Sequence, residues 1–438
     1  MPIPVDLCLD ARWIVPIEPA GALEQHTLVI DAGRVVALLP TAAVDDAYAP
    51  RERVALPGHA LLPGLVNAHT HAAMTLLRGI ADDVPLKTWL EQHVWPCEAR
   101  FLSPDFVHDG TLIAAGEMLC GGVTCCADQY FFPDAAARAY RQSGMRAVLC
   151  LPVLDFPTPY AADADAYLQA GLAVRDAWKH EARLSFALAP HAPYTVGDSS
   201  WEKIVVFARQ LDLPIQTHVQ ETRDELEQSL ARTGITPLAR LDRLGATASN
   251  FIAVHAVHLA DSDFDLLATQ GCQVVHCPTS NLKLASGIAP VARLQERGIN
   301  VAVGSDGAAS NNRLDVLAEA RLASLIAKAA TGDAAAVPAA TALRMATLNG
   351  AAALGLDAEI GSLRPGKQAD AIAVNLAAFQ HAPVYDPISH LVHVAGRDQV
   401  SDVWIAGKRV LSDGTLATLD ATDLAARARL WQDRLRSA

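Results

Sequence analysis

The chain has 438 residues, with 35 basic and 48 acidic side chains, a net charge of −13 and 51% hydrophobic residues. This composition excludes a disordered chain and predicts a large core, in two or three domains or in one large barrel with an addition. The chain is acidic and has no clusters of lysine and arginine, which argues against nucleic acid as its main partner. Small or neutral substrates are compatible with this charge.

The N-terminal stretch MPIPVDLCLDARW lacks the basic and apolar regions of a secretory signal. The sequence contains no run of about 20 apolar residues, so we expect no membrane span. The eight cysteines include no CxxC pair. We therefore expect mostly buried thiols in a reducing cytosol, a cytoplasmic protein and no membrane contact. Cys272, His276 and Cys277 offer too few ligands, at irregular spacing, for a structural zinc site.

Residues 5–56 carry short alternating segments such as HTLVIDAGRVVALLP, with a turn at residues 31–33. This pattern is typical of hairpin-like β-structure and has no helical period.

From Leu61 onward, short apolar runs alternate with longer helical patterns. The eight runs are LLPGLVNAHTH, GVTCCADQY, RAVLCLPVLDF, LSFALAP, LPIQTHVQ, FIAVHAVHL, CQVVHCP and INVAVGSD. Eight buried strands, each followed by a helix, predict an α/β fold of the (β/α)₈ TIM-barrel type.

After Gly355 the β pattern returns in GKQADAIAVNL and SDVWIAGKRVLSDG, followed by a helix at DLAARARLWQDRL. We expect the two β-rich chain ends to pair into one small discontinuous β-sandwich domain. The predicted boundaries are 1–58 with 359–438 for this domain and 59–358 for the barrel.

Polar side chains follow several of the predicted barrel strands, whose carboxyl ends share one mouth. A single histidine in such a place is usually a hydrogen-bonded core residue, whereas several converging on one mouth are hard to explain structurally. Seven of the fifteen histidines lie there together with one aspartate: His69 and His71 on strand 1, His191 on strand 4, His218 on strand 5, His255 and His258 on strand 6, His276 on strand 7 and Asp306 on strand 8.

His69 and His71 stand at i and i+2 after the apolar run PGLV, so both imidazoles point to one face of the strand. Such a pair suits zinc or ferrous iron. His255 and His258 lie three apart and point to opposite faces. We expect His255 to reach the site and His258 to be a core residue.

His218 and Glu221 form an HxxE at the end of a strand, although Glu221 also fits the first turn of a helix. Asp306 precedes Gly307, which also fits an ordinary turn. His276 is expected to be a core residue. A metal-activated water with two nearby carboxylates would make a hydrolytic site. The lysines avoid the ends of strands 2 to 4, which favours one metal ion.

Together the motifs PGLVNAHTHAAMTLLRG, WPCEARF, LAPHAPYTV, THVQET, VHAVHL, HCPTSNLKLASGIAP and VGSDGAASNN resemble the amidohydrolase superfamily. The resemblance covers nearly the whole chain. It is strongest to the branch that contains 5′-methylthioadenosine/S-adenosylhomocysteine deaminases, with triazine hydrolases nearby.

The resemblance implies a zinc-dependent aminohydrolase with one metal ion per subunit, ferrous iron being an alternative. It implies metal ligands at His69, His71, His218 and Asp306. It further implies that Glu221 and Asp306 move protons and contact the substrate. Glu98 and His191 are implied to bind the substrate, and His255 to lie beside the attacking water. From its residues alone, Glu98 would be a solvated charge.

The implied substrates are adenine nucleosides, and the implied assembly is a homo-oligomer, a dimer or a tetramer. Relatives that accept the homocysteine conjugate carry arginines soon after a GMRA-like strand, but no arginine lies between Arg146 and Arg175. We therefore expect 5′-methylthioadenosine or adenosine to be preferred over S-adenosylhomocysteine. The alternatives are another heterocycle (guanine, a pterin, cytosine or a triazine) and a non-catalytic scaffold.

Overall fold

The computed structural model describes residues 1–437, whose strands form two eight-stranded sheets. The first four strands are β1 (Ile3–Ile14), β2 (Leu23–Asp31), β3 (Arg34–Pro40) and β4 (Tyr48–Pro63). The next eight are β5 (Leu65–Thr70), β6 (Val123–Gln129), β7 (Arg146–Val153), β8 (Leu184–Pro190), β9 (Ile215–Val219), β10 (Phe251–His255), β11 (Gln273–His276) and β12 (Asn300–Val303). The last four are β13 (Ala371–Asn375), β14 (Val400–Ile405), β15 (Lys408–Ser412) and β16 (Thr415–Leu416).

Strands β5 to β12 are parallel neighbours in chain order and form the predicted barrel. Strands β5, β6, β7, β9 and β10 are buried along their whole length, which explains their continuous apolar runs. The segment that follows β12 is hydrogen-bonded to β5, and the Asp306 N–H donates to the His69 carbonyl at 3.1 Å. Asn67 donates to Ser305 Oγ at 2.7 Å and accepts from the Ser305 N–H at 2.8 Å.

The α-helices follow the strands in alternation through the barrel and continue into both ends of the chain. They are α1 (Val44–Ala47), α2 (Leu86–Trp89), α3 (Trp95–Phe101), α4 (Pro104–Cys120), α5 (Pro133–Ser143), α6 (Ala164–Trp178), α7 (Asp198–Leu211), α8 (Arg223–Thr233), α9 (Pro237–Arg243), α10 (Asp261–Gln270), α11 (Pro278–Lys283), α12 (Val291–Glu296), α13 (Val316–Thr331), α14 (Ala339–Met345), α15 (Leu348–Ala353), α16 (Pro387–His393) and α17 (Ala421–Arg436). Within residues 1–437 no helix has both the length and the apolar character needed to cross a membrane.

The two chain ends form one mixed sheet, as the β patterns at both ends of the sequence predicted. Its strand order is β16-β15-β14-β13-β4-β1-β2-β3. Strands β2 and β3 join through a tight turn at Ala32 and Gly33, both with positive φ, and a side chain at Gly33 would meet the Ala406 carbonyl oxygen at 2.7 Å. The hairpin pattern did not predict that β1 also pairs with β4 in parallel. Strand β4 crosses the expected boundary at residue 58 and leads directly into β5.

Candidate active site

Three histidines and one aspartate converge at the carboxyl ends of β5, β9 and β12. One ligand atom from each of His69, His71, His218 and Asp306 lies within 4.8 Å of the others. His218 Nε2 is 3.1 Å from His69 Nε2 and 3.3 Å from His71 Nε2. Asp306 Oδ1 is 3.2 Å from His71 Nε2. The barrel thus brings together residues that are up to 237 positions apart in the chain.

Each imidazole is oriented through its other ring nitrogen, which faces an oxygen. His69 Nδ1 lies 2.8 Å from Gln216 Oε1, and His218 Nδ1 lies 2.6 Å from the His191 carbonyl. His71 Nδ1 faces the Gln129 carbonyl at 2.5 Å. Since these oxygens accept, each Nδ1 donates and each Nε2 keeps a lone pair directed at the common point.

The donor set fits a zinc ion. Lone pairs of imidazole nitrogens only 3.1 Å and 3.3 Å apart repel each other unless a proton or a cation lies between them. Burial, and after it the neighbouring histidines, hold the pKa of His218 well below its ordinary value, so this imidazole is neutral as a metal ligand must be. Neutral imidazoles with one carboxylate are a donor set that zinc accepts.

Two serine hydroxyls hold the second oxygen of Asp306. Ser280 Oγ and Ser310 Oγ each donate to Asp306 Oδ2 at 2.7 Å. These bonds leave Oδ1 free to face the histidines. The serines carry no signal that would identify them in the sequence, because Ser280 meets Asp306 only through the fold.

Glu221 and His255 lie beside the cluster, 3.8 Å apart between Oε2 and Nε2. Ser286 Oγ donates to Glu221 Oε1 at 3.1 Å, and His255 Nδ1 lies 2.8 Å from Asn281 Oδ1. Burial first, and then the charge of Asp306, raise the pKa of Glu221 to about 8. Glu221 can therefore hold a proton near neutral pH, as a general acid requires.

A cavity of about 260 Å³ opens over the cluster, and the two remaining expected site residues, Glu98 and His191, line it. Glu98 lines it and accepts from the Tyr130 hydroxyl at 2.6 Å, and burial raises the pKa of Glu98 to about 7. His191 also lines it, and burial together with the histidines nearby lowers the pKa of His191 to about 4. Glu98 is thus a buried side chain of α3, unlike the solvated charge that its residue type alone would indicate.

The rest of this cavity is apolar. Within the described residues no lysine or arginine lines it, and its acid–base groups include three carboxyls and four histidines. Its apolar walls include Leu86, Trp89, Leu90, Trp95, Leu154 and Phe156.

The other two histidines of the strand ends lie outside the cluster. His258 Nε2 faces the Ser286 carbonyl at 2.7 Å, so it supports the loop that carries Ser286. His276 is buried, and burial lowers its pKa to about 3. Sequence reasoning missed Gln216, the partner of His69, although a period of two along β9 places it on the same face as His218.

The chain is similar to known proteins over nearly its whole length. Residues 60–410 match the Amidohydrolase family. A Teredinibacter turnerae protein named 5-methylthioadenosine/S-adenosylhomocysteine deaminase is 46% identical over 98% of both chains. The solved structure of an adenosine deaminase from Xanthomonas campestris with bound zinc is 49% identical, covers 100% of both chains and superposes with a TM-score of 0.99.

The atrazine chlorohydrolase of Arthrobacter aurescens, solved with zinc, has the same fold. It is 24% identical, with 97% of this chain and 99% of that chain covered and a TM-score of 0.89.

Proposed function

The chain belongs to the amidohydrolase family, and we propose that it catalyses the zinc-dependent hydrolytic deamination of an adenine nucleoside. The preferred substrate in this proposal is 5′-methylthioadenosine, converted to 5′-methylthioinosine, with adenosine and S-adenosylhomocysteine as further substrates. The observation that carries the proposal is the four-ligand cluster with Glu221 beside it at the base of one cavity.

His69, His71, His218 and Asp306 would hold the zinc ion, one per chain. Zinc bound there would lower the pKa of a coordinated water and so supply a nucleophile near neutral pH.

The side chains around the cluster would then move protons. Glu221 would give its proton to ring nitrogen N1, so that the adenine ring accepts electrons while water attacks C6. Asp306 would take a proton from the attacking water and pass it to the amino group, which would leave as ammonia. The proton that remains on the new C6 hydroxyl would return to Glu221. His255, 3.8 Å from Glu221, would hold the water in line with C6. A glutamate that is not a ligand plays the same part in other zinc deaminases.

Substrate binding would divide between polar and apolar walls. Glu98, oriented by Tyr130, would accept hydrogen bonds from the ribose hydroxyls, and His191 would contact the substrate next to the cluster. The 5′ substituent would lie against apolar side chains. Because no cation lines this cavity within the described residues, a carboxylate tail held inside it would lose water without gaining a partner.

Ultraviolet absorbance of zinc-loaded protein with each nucleoside tests this function. We expect rapid loss of the adenine band with 5′-methylthioadenosine. We expect kcat/KM for S-adenosylhomocysteine to be at least about tenfold lower, since an unpaired buried polar group costs more than about 1.4 kcal/mol. Equal kcat/KM values would contradict the preference. If the absorbance changes with none of the nucleosides, in protein that holds zinc, the substrate would be another heterocycle.

The proposal places the protein in the cytoplasm as a homo-oligomer, with residues 59–358 as the catalytic domain and 1–58 with 359–438 as its supporting domain. The eight free cysteines support a reducing compartment. Phe379 and Tyr385 are 90% and 91% exposed, which supports a contact with another chain.

A further inference from the structure

The loop that carries Glu221 has a strained backbone. It joins β9 to α8, and Gln220 within it has a φ of 52°. A residue other than glycine in this left-handed region is uncommon and persists only when its surroundings hold it there. Contacts that hold Gln220 therefore also determine where Glu221 points.

One side of this loop is held by Glu225. Its Oε1 accepts from the Gln220 N–H at 2.9 Å, and its Oε2 accepts from the Glu221 N–H at 3.0 Å. In an ordinary capping box the glutamate at this helix position accepts from the N–H of the N-cap residue, which here is Thr222. Glu225 instead reaches past Thr222 to the two preceding peptides, so its carboxylate holds the loop.

The other side is held by the segment that follows His255. The Gln220 carbonyl accepts from the N–H groups of Val257 and His258, each at 3.0 Å. The Gln220 side chain also donates to the His258 carbonyl at 2.7 Å. The peptide before Glu221 is thus fixed between Glu225 and the strand end that carries His255.

This arrangement sets the place of the Glu221 carboxylate. Burial raises the pKa of Glu225 to about 8, and the neighbouring charge of Glu221 adds to the shift. The two N–H bonds to Glu225 act in the opposite direction, because they favour its ionised form. The ionised carboxylate offers one acceptor oxygen to each of the two N–H groups, whereas a glutamine would offer one oxygen and one NH₂ group.

We propose that Glu225 is a positioning residue, which holds Glu221 at the correct distance from His255 and from the substrate ring. The proposal rests on the proposed deamination, in which Glu221 carries the proton. Glu225 itself touches neither the four-ligand cluster nor the cavity over it.

The test is Glu225→Gln, which keeps the size of the side chain but turns an NH₂ group toward one of the two N–H donors. Glu227→Gln is the matched control, because Glu227 is an exposed residue of the same helix. With 5′-methylthioadenosine we expect kcat of Glu225→Gln to fall by about 30- to 100-fold, since a misplacement of about 1 Å costs up to about 10²-fold. KM and zinc content should stay within about threefold of wild type.

Unchanged kcat in Glu225→Gln would overturn the proposal, and so would a loss of kcat that follows loss of zinc. If this variant does not fold, Glu225→Asp replaces it. That variant keeps the charge but shortens the reach, so the same loss of kcat at unchanged KM and zinc content is expected, and unchanged kcat would again contradict positioning.

Hydrogen exchange of the peptide that spans residues 218–222 separates this proposal from the deamination itself. We expect slow exchange in wild type and Glu227→Gln and faster exchange in Glu225→Gln. If wild type does not deaminate, the proposed function fails, and the exchange result still decides whether Glu225 holds the loop. Equal exchange rates in all three proteins would contradict the proposal that Glu225 holds this loop.

Discussion

Buried charges at the two ends of the barrel differ in how they are compensated. At the amino end, Arg146 at the start of β7 meets Asp370, which directly precedes β13 of the mixed sheet, with Nε 3.1 Å from Oδ2. Asp370 Oδ1 also accepts from the Ala406 N–H at 2.8 Å. At the carboxyl end, Glu98 and Glu221 are buried with hydroxyl partners and no lysine or arginine bonded to them in the described chain.

This difference separates a structural role from a chemical one. A buried charge with a cation and hydrogen bonds is stable in one protonation state, whereas a buried carboxyl without a cation has a raised pKa and can exchange a proton near neutral pH. The carboxyl ends of the strands are also where a barrel of this kind carries its active site.

The largest expected effect comes from Glu221→Gln at the carboxyl end. The amide cannot give or take the proton, so we expect kcat for 5′-methylthioadenosine to fall by about 10⁴-fold. Zinc content should remain at one ion per chain, because Glu221 lies outside the four-ligand cluster. Steady-state kinetics with metal analysis measures both, and a variant with near-normal kcat would exclude Glu221 as the proton carrier.

A smaller effect, on stability alone, is expected from Arg146→Met at the amino end. Removing the cation leaves Asp370 buried without its partner, and we expect the free energy of unfolding to fall by about 3 kcal/mol. The activity of the folded fraction should not change. Urea unfolding measures the loss, and the double variant Arg146→Met, Asp370→Leu serves as control because removing both charges costs less than removing one. A single variant as stable as wild type would contradict the structural role.

The smallest effect concerns Asp109, a paired acid that joins α4 to α17. Burial opposes its ionisation, but hydrogen bonds from His108, Trp431 and Arg427 outweigh burial and lower its pKa to about 2. Because this pKa is below the ordinary value, the ionised group stabilises the fold above about pH 4, and the contribution disappears as the pH falls toward about 2.

Asp109→Asn tests this dependence. We expect a loss of about 2 kcal/mol at pH 7 that shrinks to nothing near pH 2, measured by urea unfolding over that range. A loss that is the same at every pH would show that the charge of Asp109 does not matter.

The barrel and its mouth could be predicted from the sequence because their signals are local. Buried parallel strands give continuous apolar runs, and a histidine or aspartate that ends such a run stands out. The parallel pairing of β1 with β4 left no such mark, since strand patterns show which face is buried and do not identify the neighbouring strand. The sequence could not show that Glu98 and Glu221 lack a cation either, because the fold determines which side chains lie beside them.

Glu225 illustrates the same limit. A glutamate in the first turn of a helix is favoured by the helix dipole alone, so its residue type and position predict nothing further. Only the left-handed φ of Gln220 and the two N–H bonds distinguish it from the other acids of α8.

Zinc titration of the chelated protein tests the central claim most directly. Ammonia release from 5′-methylthioadenosine would be followed while zinc is returned to protein stripped by a chelator. The account predicts no release from stripped protein and full recovery at one zinc ion per chain. Release that persists without metal, or that stays absent at full zinc occupancy, would contradict zinc-dependent deamination at this site.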